Sequence, residues 1–162
     1  MVKRTMSLLI AVCFLLVGIG AFAQPVDPGE PIDPLTSKQK LVMQQKVKEL
    51  KAQVEAMNTK LVKARKGQNL TSLIDEFLIG QFRTSFNSLS KEINSAKMQN
   101  KSSQTLIKLS DTANRGKIIL NNFESRVGAN NKSAALGQLS DMSKVLNNMQ
   151  SVLQGDQPEY MR

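Results

Sequence analysis

The spacing of apolar residues changes twice along the chain. Met6 to Val17 is a run without a charge, residues 24–35 alternate apolar residues with proline and carboxylate, and from Thr36 onward apolar positions recur at steps of three and four. That last spacing is the signature of amphipathic helices. The first stripe is Met43, Val47, Leu50, Val54, Met57, Leu61 and Ala64, an unbroken heptad seam. Thr36 with Gln39 fits a capping box at its start, and Gly67 fits a helix-ending position.

A second helix is expected from about Asn69–Ser72, carrying Leu73, Ile74, Phe77, Leu78, Phe82, Phe86, Leu89, Ile93 and Ala96, with Gly80 inside it. A third begins near Ser102–Ser103, follows Leu106, Leu109, Ala113, Gly116, Leu120, Phe123 and Val127, and ends at Gly128. A fourth runs from about Asn131 to Leu153 through Ala135, Leu139, Met142, Leu146 and Met149, with Gly155 after it.

Short loops between long helices favour antiparallel neighbours. The expected fold is therefore all-α: an antiparallel up-down-up-down four-helix bundle over residues 36–154, with 155–162 as a tail. The alternative is an elongated pair of helical hairpins that completes its core by dimerising. Antiparallel packing about a loop near residue 100 sets Phe77 level with Phe123, Phe82 level with Ile119, and Phe86 beside Gly116. An aromatic core layer of Phe77, Phe82 and Phe123 follows. Packing about Gly67 likewise sets Lys60 level with Asp75, and the region of Met43 level with Glu92.

The opening run belongs to a different element. Lys3 and Arg4 precede it and Ala21-Phe22-Ala23 follows, giving the charged, apolar and small-residue regions of a cleavable signal peptide over residues 1–23, cut before Gln24. Val12 before Cys13 argues against a lipoprotein site. Retention of the leader as an anchor is the competing outcome, since Met6–Ala23 approaches the length of a span. Residues 24–35, QPVDPGEPIDPL, place proline at every third position, as do Asp27, Glu30 and Asp33 for carboxylate. This suits an extended, acidic, Pro-rich linker. The expected compartment is periplasmic or extracellular.

Cys13 is the only cysteine, so a chain starting at Gln24 has none and holds together by packing alone. The formal charge is +9, and loss of Lys3 and Arg4 leaves +7. Residues 36–66 hold nine basic and two acidic side chains, so the excess belongs mainly to the first helix. Lys46, Lys51, Lys60 and Arg65 flank its seam. Export removes nucleic acid as a partner and leaves anionic membrane or wall surfaces, or an envelope protein.

The chain has no histidine, which removes the commonest general base and transition-metal ligand. It has no G-x-S-x-G and no glycine-rich phosphate loop. Asp75-Glu76 is the one adjacent carboxylate pair in the helical region and reads as a solvated first turn. Met43 and Met142 read as core residues rather than haem ligands. No catalytic, cofactor-binding or metal site is expected, and the protein is expected not to be an enzyme. Three N-x-[ST] triplets, at Asn69, Asn100 and Asn131, fall in the inter-helix loops, where asparagine also caps helices.

Two functions fit these constraints. One is an exported helical binding module that uses Lys38, Lys48, Lys63 and Lys66 against an anionic surface. The other is a structural or chaperone-like coiled-coil spacer without a ligand. A monomer or a homodimer fits either.

Overall fold

A computed structural model describes residues 35–155. The expected signal peptide, the linker up to Pro34 and the tail from Asp156 lie outside the described residues. Within them the chain is all-helical, with no strand. Four long helices and one single turn follow in order: α1 (Ser37–Lys63), α2 (Leu70–Leu73), α3 (Glu76–Gln99), α4 (Gln104–Gly128) and α5 (Lys132–Gln154).

Each start is set by a capping side chain. Thr36 and Gln39 form the expected capping box. Asn69, Asp75, Ser103 and Asn131 accept from Thr71 N, Leu78 N, Leu106 N and Ala134 N respectively. A side-chain oxygen at such a position satisfies a backbone N–H that has no partner within the helix.

The α1 seam is buried throughout, from Met43 to Ala64. It meets the stripes of the other helices in one apolar core. α1 packs against α3 and α5, and α4 packs against the same two. Lys46 meets Glu92 while Lys60 meets Asp75, so residue numbers rise along α1 as they fall along α3. Both α1–α3 levels agree with the sequence expectation.

Between α3 and α4, Phe86 lies over Gly116. A Cβ built on Gly116 would lie 2.3 Å from Phe86 Cζ, so only the missing side chain admits the ring. Phe86 stacks on Phe82, with ring centroids 6.0 Å apart and planes 20° from parallel. The Phe86–Gly116 level agrees with the sequence expectation, and Arg83 pairs with Glu124 in the same antiparallel sense.

Four expectations need correction. Phe77 is 71% exposed and is no part of the aromatic core, whereas Phe82, Phe86 and Phe123 are buried. The second helix is not continuous from Asn69: the chain leaves helical geometry at Ile74 (φ −100°, ψ 86°), and Asp75 caps a new start. That break turns Phe77 outward. α1 ends at Lys63, before Gly67, which takes a left-handed φ of 81° inside the loop. Leu35, assigned to the linker, is 2% exposed and belongs to the core.

The two helical glycines give opposite expectations. Gly116→Ala should lower stability by about 1–3 kcal/mol, because Phe86 must give way in a packed core. Gly80 has nothing within 4 Å of an added Cβ, so Gly80→Ala should raise stability by roughly 0.5–1 kcal/mol through helix propensity. Urea unfolding of the two variants checks the signs; a stabilised Gly116→Ala would overturn the α3–α4 packing.

Candidate functional site: the basic outer face of α1

The lysines of α1 divide into two sets by direction. Those beside the seam reach across to neighbours. Lys46 pairs with Glu92 and also donates to Ser88 Oγ at 3.0 Å. Lys51 donates to Gln150 Oε1 of α5 at 2.8 Å. Lys60 lies 3.9 Å from Asp75. Acidic and amide groups of both neighbouring helices thus absorb part of the basic edge.

Lys38, Lys48 and Lys63 point the other way. At about 100° per residue they fall within about 80° of arc, opposite the seam. Lys66 lies just past the helix end, and all four are exposed. None of the four makes an ion pair among the described residues. Gln45, Ala52, Ala56 and Thr59 lie between them on the same exposed face, and Glu49 and Glu55 are the acidic residues of α1. The arrangement offers a row of exposed cations over roughly 37 Å of helix, at 1.5 Å per residue. It offers no enclosed cavity and no converging acid and base.

Other chemistry-bearing residues take structural places. Asp75 Oδ1 accepts from Leu78 N at 2.8 Å as a helix cap. Met43 and Met142 are buried in the core. Among the described residues no group of three metal-ligating side chains comes together. No described helix is long and apolar enough to cross a membrane. The sequon residues Asn69 and Asn131 spend their side-chain oxygens on N-caps, and Asn100 ends α3.

One residue with a defined task carries no signal in the sequence. Lys132, the first residue of α5, donates to Val62 O at 2.9 Å and Ala64 O at 2.8 Å. These are carbonyls at the C-terminus of α1, where the helix dipole favours a cation. Asn130, at φ 54°, accepts from Leu70 N at 2.8 Å and ties α2 to the same corner. Nothing in the local sequence marks either residue, because both partners are about sixty to seventy positions away.

Comparison with known protein families, curated proteins and solved structures finds no match.

Lys132→Met keeps an apolar stem and removes both bonds to α1. It should cost about 1–2 kcal/mol in urea unfolding, in line with a cation at a partly buried helix C-terminus. Lys48→Met, on the free face, should stay within about 0.5 kcal/mol of the parent.

Proposed function

We propose that this protein is an exported, non-enzymatic helical module that associates with anionic envelope surfaces through the outer face of α1. The observation that carries the reading is the sorting of the lysines: those beside the seam are partnered, while Lys38, Lys48, Lys63 and Lys66 stand exposed without an ion pair among the described residues. The helices are read as an antiparallel up-down-up-down four-helix bundle, supported by the opposed numbering of Lys46–Glu92 with Lys60–Asp75, and of Gln44–Leu153 with Lys132–Val62. Residues 1–23 are read as the signal peptide that delivers it, from their charged, apolar and small-residue regions.

Each basic residue close to an anionic bilayer contributes about 1 kcal/mol, screened over a Debye length of about 8 Å at physiological salt. Three or four such residues give weak, salt-sensitive adsorption rather than a tight complex. With no histidine in the chain and no converging acid and base in the described helices, catalysis has no support in the residues present.

The test is co-sedimentation of residues 24–162 with vesicles containing anionic lipid and with neutral vesicles. Binding is expected only to the anionic set, falling steeply as salt rises. Changing Lys38, Lys48, Lys63 and Lys66 together to glutamine should weaken it at least tenfold. Equal binding to both vesicle types, or an unchanged glutamine variant, would sink the proposal and favour the coiled-coil spacer.

A further inference from the structure

The described helices share out their charge unevenly between their two ends. Gln44 of α1 donates to Leu153 O of α5, Lys46 meets Glu92 of α3, and Lys97 of α3 donates to Ser110 Oγ of α4. The start of α1, the end of α3, the start of α4 and the end of α5 therefore lie together. Residues 35–48, 93–110 and 142–155 make up that end, and they contain eight lysines with no Asp or Glu. The acidic residues of the described chain all lie elsewhere, with Asp75, Glu76 and Glu124 toward the opposite end. Lys38, Lys48 and Lys101, and Lys91 just beyond, are exposed and make no ion pair among the described residues.

The same end leaves apolar side chains in water. Leu41 is 67% exposed, Val42 41% and Met98 75%, half of the large apolar residues left exposed in the described chain. Leu41 falls inside the arc of α1 that holds Lys38 and Lys48. Val42, Met43 and Ala96 line a groove of about 450 Å³ between α1 and α3, with Lys38 and Lys91 among its other walls. Glu92, the acid of that groove, is taken by Lys46. Apolar side chains set among unopposed cations are the arrangement of a surface that enters the interfacial layer of a membrane. Lysine stems lie along such apolar surface while the ammonium groups reach outward.

We infer that this acid-free end of the helices dips into an anionic lipid bilayer. Leu41, Val42 and Met98 reach the boundary between headgroups and acyl chains, and Lys38, Lys48, Lys91 and Lys101 meet the lipid phosphates around them. A soluble polyanion would satisfy the lysines and leave Leu41 and Met98 in water; an anionic bilayer takes both. The inference rests on the adsorption proposed above and adds its direction and depth. Adsorption by charge alone would use the α1 row evenly from Lys38 to Lys66. Insertion of this end tilts α1 so that its start lies deepest, while the rest of the row stays over the hydrated headgroups. Lys63 and Lys66, at the end that also holds Asp75 and Glu76, then contribute least, because the surface potential falls off within a Debye length.

The chain has no tryptophan, so a single introduced one reports only its own surroundings. Leu41→Trp and Met98→Trp probe the inserted end; Val62→Trp, far along α1, and Ile118→Trp on α4 are controls, and all four positions are exposed. The probe is a vesicle of equal parts phosphatidylglycerol and phosphatidylcholine at low salt. Emission from the first two reporters should shift to shorter wavelength and be quenched by bromine on the acyl chains, while the controls keep their emission in water. Leu41→Ser with Met98→Ser should weaken adsorption about tenfold, with circular dichroism unchanged from the parent. Lys38→Gln with Lys101→Gln should also cost about tenfold, against about twofold or less for Lys63→Gln with Lys66→Gln. No adsorption to these vesicles would remove the proposed function and this inference together. Adsorption with the Leu41 and Met98 reporters left in water, or with the two lysine pairs equally costly, would overturn the inference alone and leave α1 lying flat on the surface.

Discussion

The contact of the Phe86 ring with the bare backbone of Gly116 fixes how α3 and α4 meet, and much of the architecture follows from it. A ring seated where a Cβ would be 2.3 Å away sets both the separation and the register of the two helices. In that register Arg83 reaches Glu124, and Lys97 and Asn94 converge on the buried Ser110 hydroxyl. Phe82 stacks on Phe86, which makes its rotation part of the same constraint. With α3 held so, Glu92 and Asp75 face α1 and draw Lys46 and Lys60 toward them. The ion pairs are consequences rather than causes, since partly exposed pairs contribute about 0–1 kcal/mol each.

At the other side of α1 the chain uses backbone carbonyls instead of carboxylates. Gln44 donates to Leu153 O at 3.2 Å near one end, and Lys132 takes Val62 O and Ala64 O at the other. Leu70 and Ile74, both buried, pack into the core beside that corner, and the Asn130 side chain holds the α2 backbone there. The loop from Ala64 to Asp75 is thus a packed part of the domain, which explains why it contains a helical turn of its own. Basic residues that help assemble the helices are used up in this way; those on the far side of α1 have no such task.

The sequence carries the helical seams plainly because burial is periodic. Every residue of the α1 stripe is buried as its heptad spacing requires, and the capping residues Thr36, Asn69, Ser103 and Asn131 stand where the polar punctuation puts them. Phe77 departs from its expected place for a reason visible in the same arithmetic. Counting back from Phe82, Leu78 and Ile79 fall on the core face at four and three residues, while Phe77, at five, lies about 140° away. Treating Leu73, Ile74 and Phe77 as one continuous stripe hides that offset, because Asp75 looks like a charged helical residue rather than a cap. The Lys132 and Asn130 bonds are beyond the reach of local pattern, since they depend on which loops share a corner. The lysine face is legible as composition, but which lysines stay unpaired depends on the neighbours that α1 acquires.

The outer faces of α1 and α3 make different physical demands and meet along one line. The α1 face is cationic with few large apolar side chains, suited to a surface that stays hydrated. The α3 face carries Lys91 among small polar side chains, with exposed Phe77 and Met98 at its ends. Lys38 stands on the boundary, lining the groove with Lys91 while also belonging to the α1 row. Lys48 and Lys63 lie farther around α1 from that groove. The cationic row of α1 and the groove beside α3 therefore share only Lys38.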